Sequence, residues 1–344
     1  MNFQFKAENY ERMASTVYHT LLLHGKLERS RNGQVLRLPG VTTLHVTKPW
    51  ERVNFSTARD ANPFFHLVEA IAMLGRVNSV PLMAFFSKQM AEYSDNGRTY
   101  NAFYGTRARV TWGDQLADIV EILTADPDSR QAVIQLWDPT DLSRQTKDKA
   151  CNINMIFTVD QDTGNLCMTT FNRSNDAIWG IVTGANVVHL SMFQEYVAYA
   201  LGRGIGDWIH VSNNLHVYVD NPKWQALLIE KKQPVADYLL LDYPETQAIC
   251  TRADHASFLS GCTTVCRALE QYTLGNVTSY DKIKFDYATI VGSPFLNTTV
   301  VPAITAYVAH KNVKPEEALS MAKQIEAADW RKACVAWLER RYSK

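Results

Sequence analysis

Cys151, Arg173 and the pair His216 and Tyr218 are the residues whose types and spacing are suited to covalent chemistry on an anionic molecule. They lie in three short segments: Ala150-Cys151-Asn152, Asn172-Arg173-Ser174-Asn175-Asp176, and Asn213-Asn214-Leu215-His216-Val217-Tyr218. A cysteine attacks as its thiolate, which needs positive charge nearby. Arg173 can supply that charge, and its planar fork also suits a phosphate. His216 and Tyr218, two apart on a strand, point to one face. Glu69 sits inside the apolar run PFFHLVEAIAML, where an enclosed carboxylate suits proton work and an exposed one is only a solvated helix residue. Taken singly, each segment also has a plain explanation: a small core cysteine, a solvated turn, a strand edge.

The elements that must position these residues alternate between helix and strand. A helix is expected over residues 8–27, then basic, glycine-containing turns (Arg29-Ser30-Arg31-Asn32-Gly33), then a strand over 41–46. A second helix covers 63–74, with Phe64, Leu67, Ile71 and Leu74 on one stripe. A third covers 113–124 and closes at Asp126-Pro127-Asp128-Ser129-Arg130. Strands over 132–137 and 153–159 follow, and Asp162-Thr163-Gly164-Asn165 turns the chain into a return strand over 166–171. Residues 187–201 read as a helix with Leu190, Phe193, Val197 and Leu201 facing the core. Beyond residue 225 short strands and helices are expected to continue to a charged helix over 315–342. Helices packed on a sheet make the fold class α/β (α+β): one domain over 1–344 with a mixed sheet flanked by helices, its divergent part (225–344) a C-terminal helical extension.

In this order, the segments resemble the thymidylate synthase superfamily, which includes the deoxycytidylate and deoxyuridylate hydroxymethylases. The resemblance runs from Arg31 to Tyr218 and takes in Glu69, Tyr104-Gly105, the Asp126-Arg130 turn, Gly180 and Asn186. It implies that Cys151 adds to C6 of a pyrimidine deoxynucleoside monophosphate, making C5 able to attack a one-carbon electrophile. The electrophile is then 5,10-methylenetetrahydrofolate, and no metal is needed. Arg31, Arg173 and Ser174 are implied to hold the phosphate, with Arg130 reaching it from the other subunit of a homodimer. Gln131 stands where many relatives carry a second arginine. His216 and Tyr218 are implied to hold the sugar hydroxyl, Asp176 and Gly180 to serve the folate pocket, and Glu69 and Tyr104 to join Cys151 and Asp176 in catalysis.

Whether the product carries a methyl or a hydroxymethyl group depends on whether a hydride or water reaches the ring first. Thymidylate synthases usually carry tryptophan where this chain reads Gln89-Met90-Ala91-Glu92-Tyr93, and histidine where it has Asn152. Their short apolar tail is replaced here by Leu338-Glu339-Arg340-Arg341-Tyr342-Ser343-Lys344. These departures favour hydroxymethylation; the alternative is a thymidylate synthase making dTMP. Asn186 could pair with the O4 and N3–H edge of uracil, favouring dUMP over dCMP. The spacing from Gly180 to Asn186 is two residues longer than usual, and Asn186 as a helix N-cap is the plain reading.

Composition sets the outer limits. Lys plus Arg equals Asp plus Glu, 35 each, so no general nucleic-acid binding is expected. No apolar run approaches the roughly 18 residues of a membrane span. Six sparse cysteines and a start without a signal-peptide layout point to a cytoplasmic protein, and base-modifying hydroxymethylases are associated with viruses of bacteria. Cys262 and Cys266 could share a helix face but lack further metal ligands. Two rivals stand beside the superfamily reading. A cysteine hydrolase built on Cys151 and His216 leaves Arg31, Arg130 and Arg173 without a purpose. A non-catalytic nucleotide- or RNA-binding relative leaves Cys151, Glu69 and Asp176 without one.

Overall fold

A computed structural model of the chain describes residues 2–229, 246–277 and 292–343. The chain forms two compact units: Met1–Ala61, Gln115–Asp138 and Ala150–Leu240 in one, Asn62–Asp114, Pro139–Lys149 and Leu241–Lys344 in the other. All ten described strands belong to the first: β1 (Phe3–Ala7), β2 (Lys26–Ser30), β3 (Gly33–Arg37), β4 (Thr42–Val46), β5 (Val133–Gln135), β6 (Asn152–Val159), β7 (Leu166–Asn172), β8 (Asn175–Asp176), β9 (Ile205–Ser212) and β10 (Leu215–Tyr218). They make a mixed six-stranded sheet, order β1-β4-β9-β7-β6-β5, and a four-stranded sheet, order β2-β3-β10-β8. The mixed α/β class is thus observed, with helices beside both sheets.

Local chemistry explains the key turns. Between β6 and β7, Asp160 Oδ1 accepts from the Thr163 N–H at 2.8 Å, and Gly164 adopts φ +72°, a conformation glycine takes without strain. The helix Ala185–Ala200 is buried on nearly all sides, well beyond the expected stripe of Leu190, Phe193 and Val197. Burial of its polar side is tolerated because Gln194 Nε2 donates to the carbonyls of Leu166 and Gly206 at 2.9 and 3.0 Å. Those carbonyls flank the register shift between β7 and β9.

Three expectations are corrected. The basic run Arg29 to Gly33 is mostly strand: β2 and β3 pair from Lys26↔Arg37 to Ser30↔Gly33, leaving only Arg31 and Asn32 at the hairpin tip. No strand follows residue 225 among the described residues, where the regular elements are all helices; residues 230–245 and 278–291 lie outside the description. The helix expected over 315–342 is two, Pro315–Lys323 and Ala328–Tyr342. The break arises because the N–H groups of Glu326 and Ala327 bond to Thr298 O (2.9 Å) and Thr299 Oγ1 (3.1 Å) instead of continuing the helix.

Candidate active site

Two of the three segments are places where the chain changes sheet. β7 leaves the six-stranded sheet at Asn172, and β8 enters the four-stranded sheet at Asn175, with only Arg173 and Ser174 between. β9 and β10 do the same across Asn213 and Asn214. The two crossings are tied together, Asn213 N–H to Asn172 O at 3.0 Å and Asn175 N–H to Asn214 O at 2.9 Å. Cys151 stands just before β6, and the Arg173 N–H donates to its carbonyl at 3.0 Å.

This arrangement points a guanidinium at the thiol. Arg173 Nε donates to Ala150 O at 2.8 Å, and Nη2 lies 3.7 Å from the half-buried Cys151 Sγ. The Arg173 guanidinium also lies 5.7 Å from the Trp137 ring centre. Beneath the pair, Asn172 Nδ2 donates to Asn152 Oδ1 at 2.8 Å across β6 and β7. Ser174 is half-buried in the same crossing.

On the four-stranded sheet, His216 and Asp176 are register partners across β10 and β8. His216 Nδ1 lies 3.0 Å from Asn214 Oδ1, an acceptor, so Nδ1 carries the hydrogen and Nε2 can accept. Burial holds His216 below the usual histidine range, against the pull of the Asp176 charge. Burial pushes the Asp176 carboxyl above the usual range, against the N–H groups of Trp179 and Ile178. Those groups donate to Oδ1 at 3.1 and 2.6 Å, while Oδ2 is buried with no hydrogen-bond partner. Tyr218 packs edge-on against His216, ring centres 5.3 Å apart, confirming that the two share a face. A Cβ at Gly33 would lie 4.0 Å from the Tyr218 ring, so Tyr218 stands beside the hairpin that carries the exposed Arg31.

Residues 69–255 match the thymidylate synthase family profile. The chain is 35% identical to the deoxyuridylate hydroxymethyltransferase of Pseudomonas phage M6, over 98% of this chain and 93% of that protein. It is 30% identical to the deoxyuridylate hydroxymethyltransferase of Bacillus phage SP01, over 64% of this chain and 60% of that protein. The chain belongs to the thymidylate synthase family. Among solved structures, thymidylate synthase from T4 phage shares the fold, with a TM-score of 0.52 and 17% identity over 63% of this chain and 80% of that one.

The remaining family positions are placed less closely. Arg31 and Arg130 are exposed, and neither forms an ion pair among the described residues. Asn186 is not the N-cap: Gly184 holds that position, and Asn186 is the second residue of its helix, half-buried, its N–H bonded to Gly180 O at 3.0 Å. The N-cap reading fails because the chain enters the helix two residues earlier, at a point so close-packed that a Cβ at 184 would sit 2.1 Å from the Trp179 carbonyl. Gly180 is demanded by packing, since a Cβ there would meet Asn175 Oδ1 at 1.9 Å. Glu69 and Tyr104 belong to the helical unit. Glu69 is buried, 7% exposed, which overturns its reading as a solvated helix residue. Tyr104 opens the helix Tyr104–Arg109, and Gly105 behind it approaches Met73, one turn beyond Glu69, so closely that a Cβ would be 2.2 Å from Met73 O. Cys262 and Cys266 do share a buried helix face, and burial pushes both thiols up.

Four residues beside the site had no signal in spacing. Trp137 and Asn214 touch Arg173 and His216, and Arg59 lies against Trp179 at 4.2 Å. Asn214 lies in the segment Asn213 to Tyr218, but its type gives no sign that it orients His216; Trp179 falls between Asp176 and Gly180, and nothing in its sequence neighbours marks it as exposed.

Proposed function

We propose that the protein is a folate-dependent deoxyuridylate hydroxymethyltransferase. The observation that carries this reading is the Arg173 guanidinium held 3.7 Å from Cys151 Sγ. A thiol so placed can add to C6 of uracil as its thiolate, with Arg173 offering both the countercharge and a phosphate contact. Addition converts C5 into a nucleophile; once C5 has taken the new carbon and lost its proton, water replaces the departing donor nitrogen on that carbon, and departure of Cys151 from C6 restores the C5–C6 double bond. Methylenetetrahydrofolate, when bound, supplies the carbon at the oxidation level of formaldehyde. The site fits such a co-substrate in one specific respect: the buried, unpartnered Asp176 Oδ2 needs an N–H donor, which a pterin ring has.

Neutral His216, with Nε2 as an acceptor, and Tyr218 beside it suit a sugar hydroxyl. Ser174 and Arg31 would add phosphate contacts, Asn186 would read the uracil edge, and Gly180 would line the folate side. Glu69 and Tyr104 enter the reading by family resemblance, as groups that order water and move protons. Water rather than hydride as the final reactant is supported by the turn Lys88–Tyr93, where thymidylate synthases carry tryptophan: it has no buried residue. A homodimer is supported by the apolar side chains that the six-stranded sheet leaves exposed, Val133 at 39% and Phe171 at 37%, with Arg130 close to Val133 in sequence. The phage origin of the relatives supports a virus-encoded enzyme working in the host cytoplasm. No described helix is long and apolar enough to cross a membrane.

Mass spectrometry of the product formed with methylenetetrahydrofolate, offering dUMP and dCMP separately, tests the proposal. Hydroxymethyl-dUMP is expected. Product dTMP with dihydrofolate would make the protein a thymidylate synthase by activity, and binding without any loss of the C5 hydrogen would make it a non-catalytic relative.

A further inference from the structure

The buried face of the six-stranded sheet turns polar at the end where the chain leaves it. The register there runs across four strands, from Thr42 on β4 to Ser212 on β9, Asn172 on β7 and Asn152 on β6, each opposite the next. None of the four is more than 2% exposed. Asn152 directly follows Cys151, and Asn172 directly precedes Arg173. Burying such a row is unfavourable unless its hydrogen bonds are met.

The adjoining row on the same face shows how they can be met within the chain. Thr170 stands opposite His210, Trp208 Nε1 donates to Thr170 Oγ1 at 3.0 Å, and that oxygen meets His210 Nδ1 at 2.7 Å. In the row that begins at Thr42, Asn172 Nδ2 donates to Asn152 Oδ1 at 2.8 Å. The rest of that row differs. Asn172 Oδ1, Ser212 Oγ and Thr42 Oγ1 are buried with no hydrogen-bond partner among the described residues. The three stand on consecutive strands. Neighbouring strands lie about 4.8 Å apart, a span that suits a bridging water better than a direct bond. Each neighbouring pair offers a water two oxygen partners, and a buried water takes roughly two to four.

We propose that Thr42, Ser212 and Asn172 hold ordered water next to the strand ends that carry Cys151 and Arg173, and that this water is the final reactant with the one-carbon unit; this rests on the functional reading above. The water oxygen bonds to the methylene carbon on C5 while the ring takes up the displaced electron pair. That pair returns to the C5–C6 bond as the C6–S bond breaks, and the water's spare proton ends on the released Cys151 sulfur. No further reactant is consumed. Hydride transfer would have no use for the row.

The test uses the full chain with methylenetetrahydrofolate and dUMP, and 2-mercaptoethanol as a nucleophile that competes with water for the same methylene carbon. Mass spectrometry reads the ratio of hydroxymethyl to thioether product. Thr42→Val and Ser212→Ala each remove one hydroxyl and are expected to lower that ratio about fivefold, with the dUMP dissociation constant within about twofold. Thr42→Ser keeps the hydroxyl and should keep the ratio, which separates water binding from misfolding. Urea denaturation gives an independent reading. Thr42→Val preserves shape, so its midpoint falls if a bound water loses a partner, and stays or rises if the row is dry. An unchanged ratio in either Thr42→Val or Ser212→Ala, or an unchanged or raised midpoint in Thr42→Val, overturns the inference and leaves the functional reading standing. No hydroxymethyl product from the unaltered protein overturns that reading and this inference with it.

Discussion

Arg173 grips the strand end that carries Cys151 from two directions, its N–H on Cys151 O and its Nε on Ala150 O, while Nη2 faces the sulfur at 3.7 Å. The cation is therefore positioned by the backbone of the nucleophile it serves. Arg173→Lys keeps the charge but loses the fork, and Arg173→Met loses both. Alkylation of Cys151 by iodoacetamide at pH 7 is expected to slow about tenfold in Arg173→Met and less in Arg173→Lys. Equal rates in all three proteins would remove Arg173 from the activation of the thiol.

Asn186 is half-buried at the second position of its helix, with its side chain not used as a cap. If it reads the pyrimidine edge, Asn186→Asp should shift the kcat/KM ratio toward dCMP over dUMP by about tenfold or more, since a carboxyl group complements the cytosine edge. An unchanged ratio would show that the base is read elsewhere.

Arg130 is exposed near the edge of the six-stranded sheet, in keeping with a phosphate contact made across a dimer. Mixing inactive Cys151→Ala with inactive Arg130→Ala after mild unfolding and refolding should restore about a quarter of the active sites, because half the dimers regain one intact site. Failure of mixing to restore turnover would place Arg130 within its own subunit's chemistry or outside it.

His210 is fully buried, and desolvation lowers its pKa to about 3. The unfolded chain takes up this proton near pH 6.5. Its contribution to stability is full above about pH 6.5 and is lost as the pH falls toward 3. Urea denaturation should show about 2 kcal/mol lost between pH 6.5 and 5 through this residue. His210→Gln should flatten that part of the curve; an identical acid dependence would exclude His210 as its source.

Gly105→Ala would drive a Cβ to 2.2 Å from Met73 O and 2.7 Å from its Cα, both backbone atoms that cannot turn aside. A loss of about 3 kcal/mol in chemical denaturation is expected. A change under about 0.5 kcal/mol would mean that the two helices separate freely.

The sequence was legible where side-chain period and burial coincide. Pro63–Leu74 appears with its expected bounds because its apolar run is bracketed by an Asn62 cap with proline at the first turn and by Gly75, and every residue in it but Phe65 is buried. β9 was not legible, since its inward residues are Gly206, Trp208, His210 and Ser212. They are buried by a polar chain rather than an apolar one: Trp208 Nε1 donates to Thr170 Oγ1 at 3.0 Å, and Thr170 Oγ1 meets His210 Nδ1 at 2.7 Å. For the candidate site, residue types and order pointed to Cys151, Arg173, Asp176, His216 and Tyr218, and the structure puts Arg173 beside Cys151 and His216 beside Asp176 and Tyr218. The contacts that orient them were hidden because they run through main-chain carbonyls, such as Ala150 O, or between distant positions, such as Arg59 and Trp179. Neither leaves a spacing to read.

The two sheet crossings, linked at Asn172 to Asn213 and at Asn175 to Asn214, limit how such an enzyme can diverge. Removing one residue from either crossing would send every following strand side chain to the opposite face. Loss from the Asn213-Asn214 step would reverse His216 and Tyr218 and, in the same event, leave the main-chain groups of Asn172 and Asn175 without partners. Exchanging one side chain for another along this seam keeps the register, whereas a one-residue change in length does not. The chemistry is open to retuning by substitution and closed to retuning by insertion.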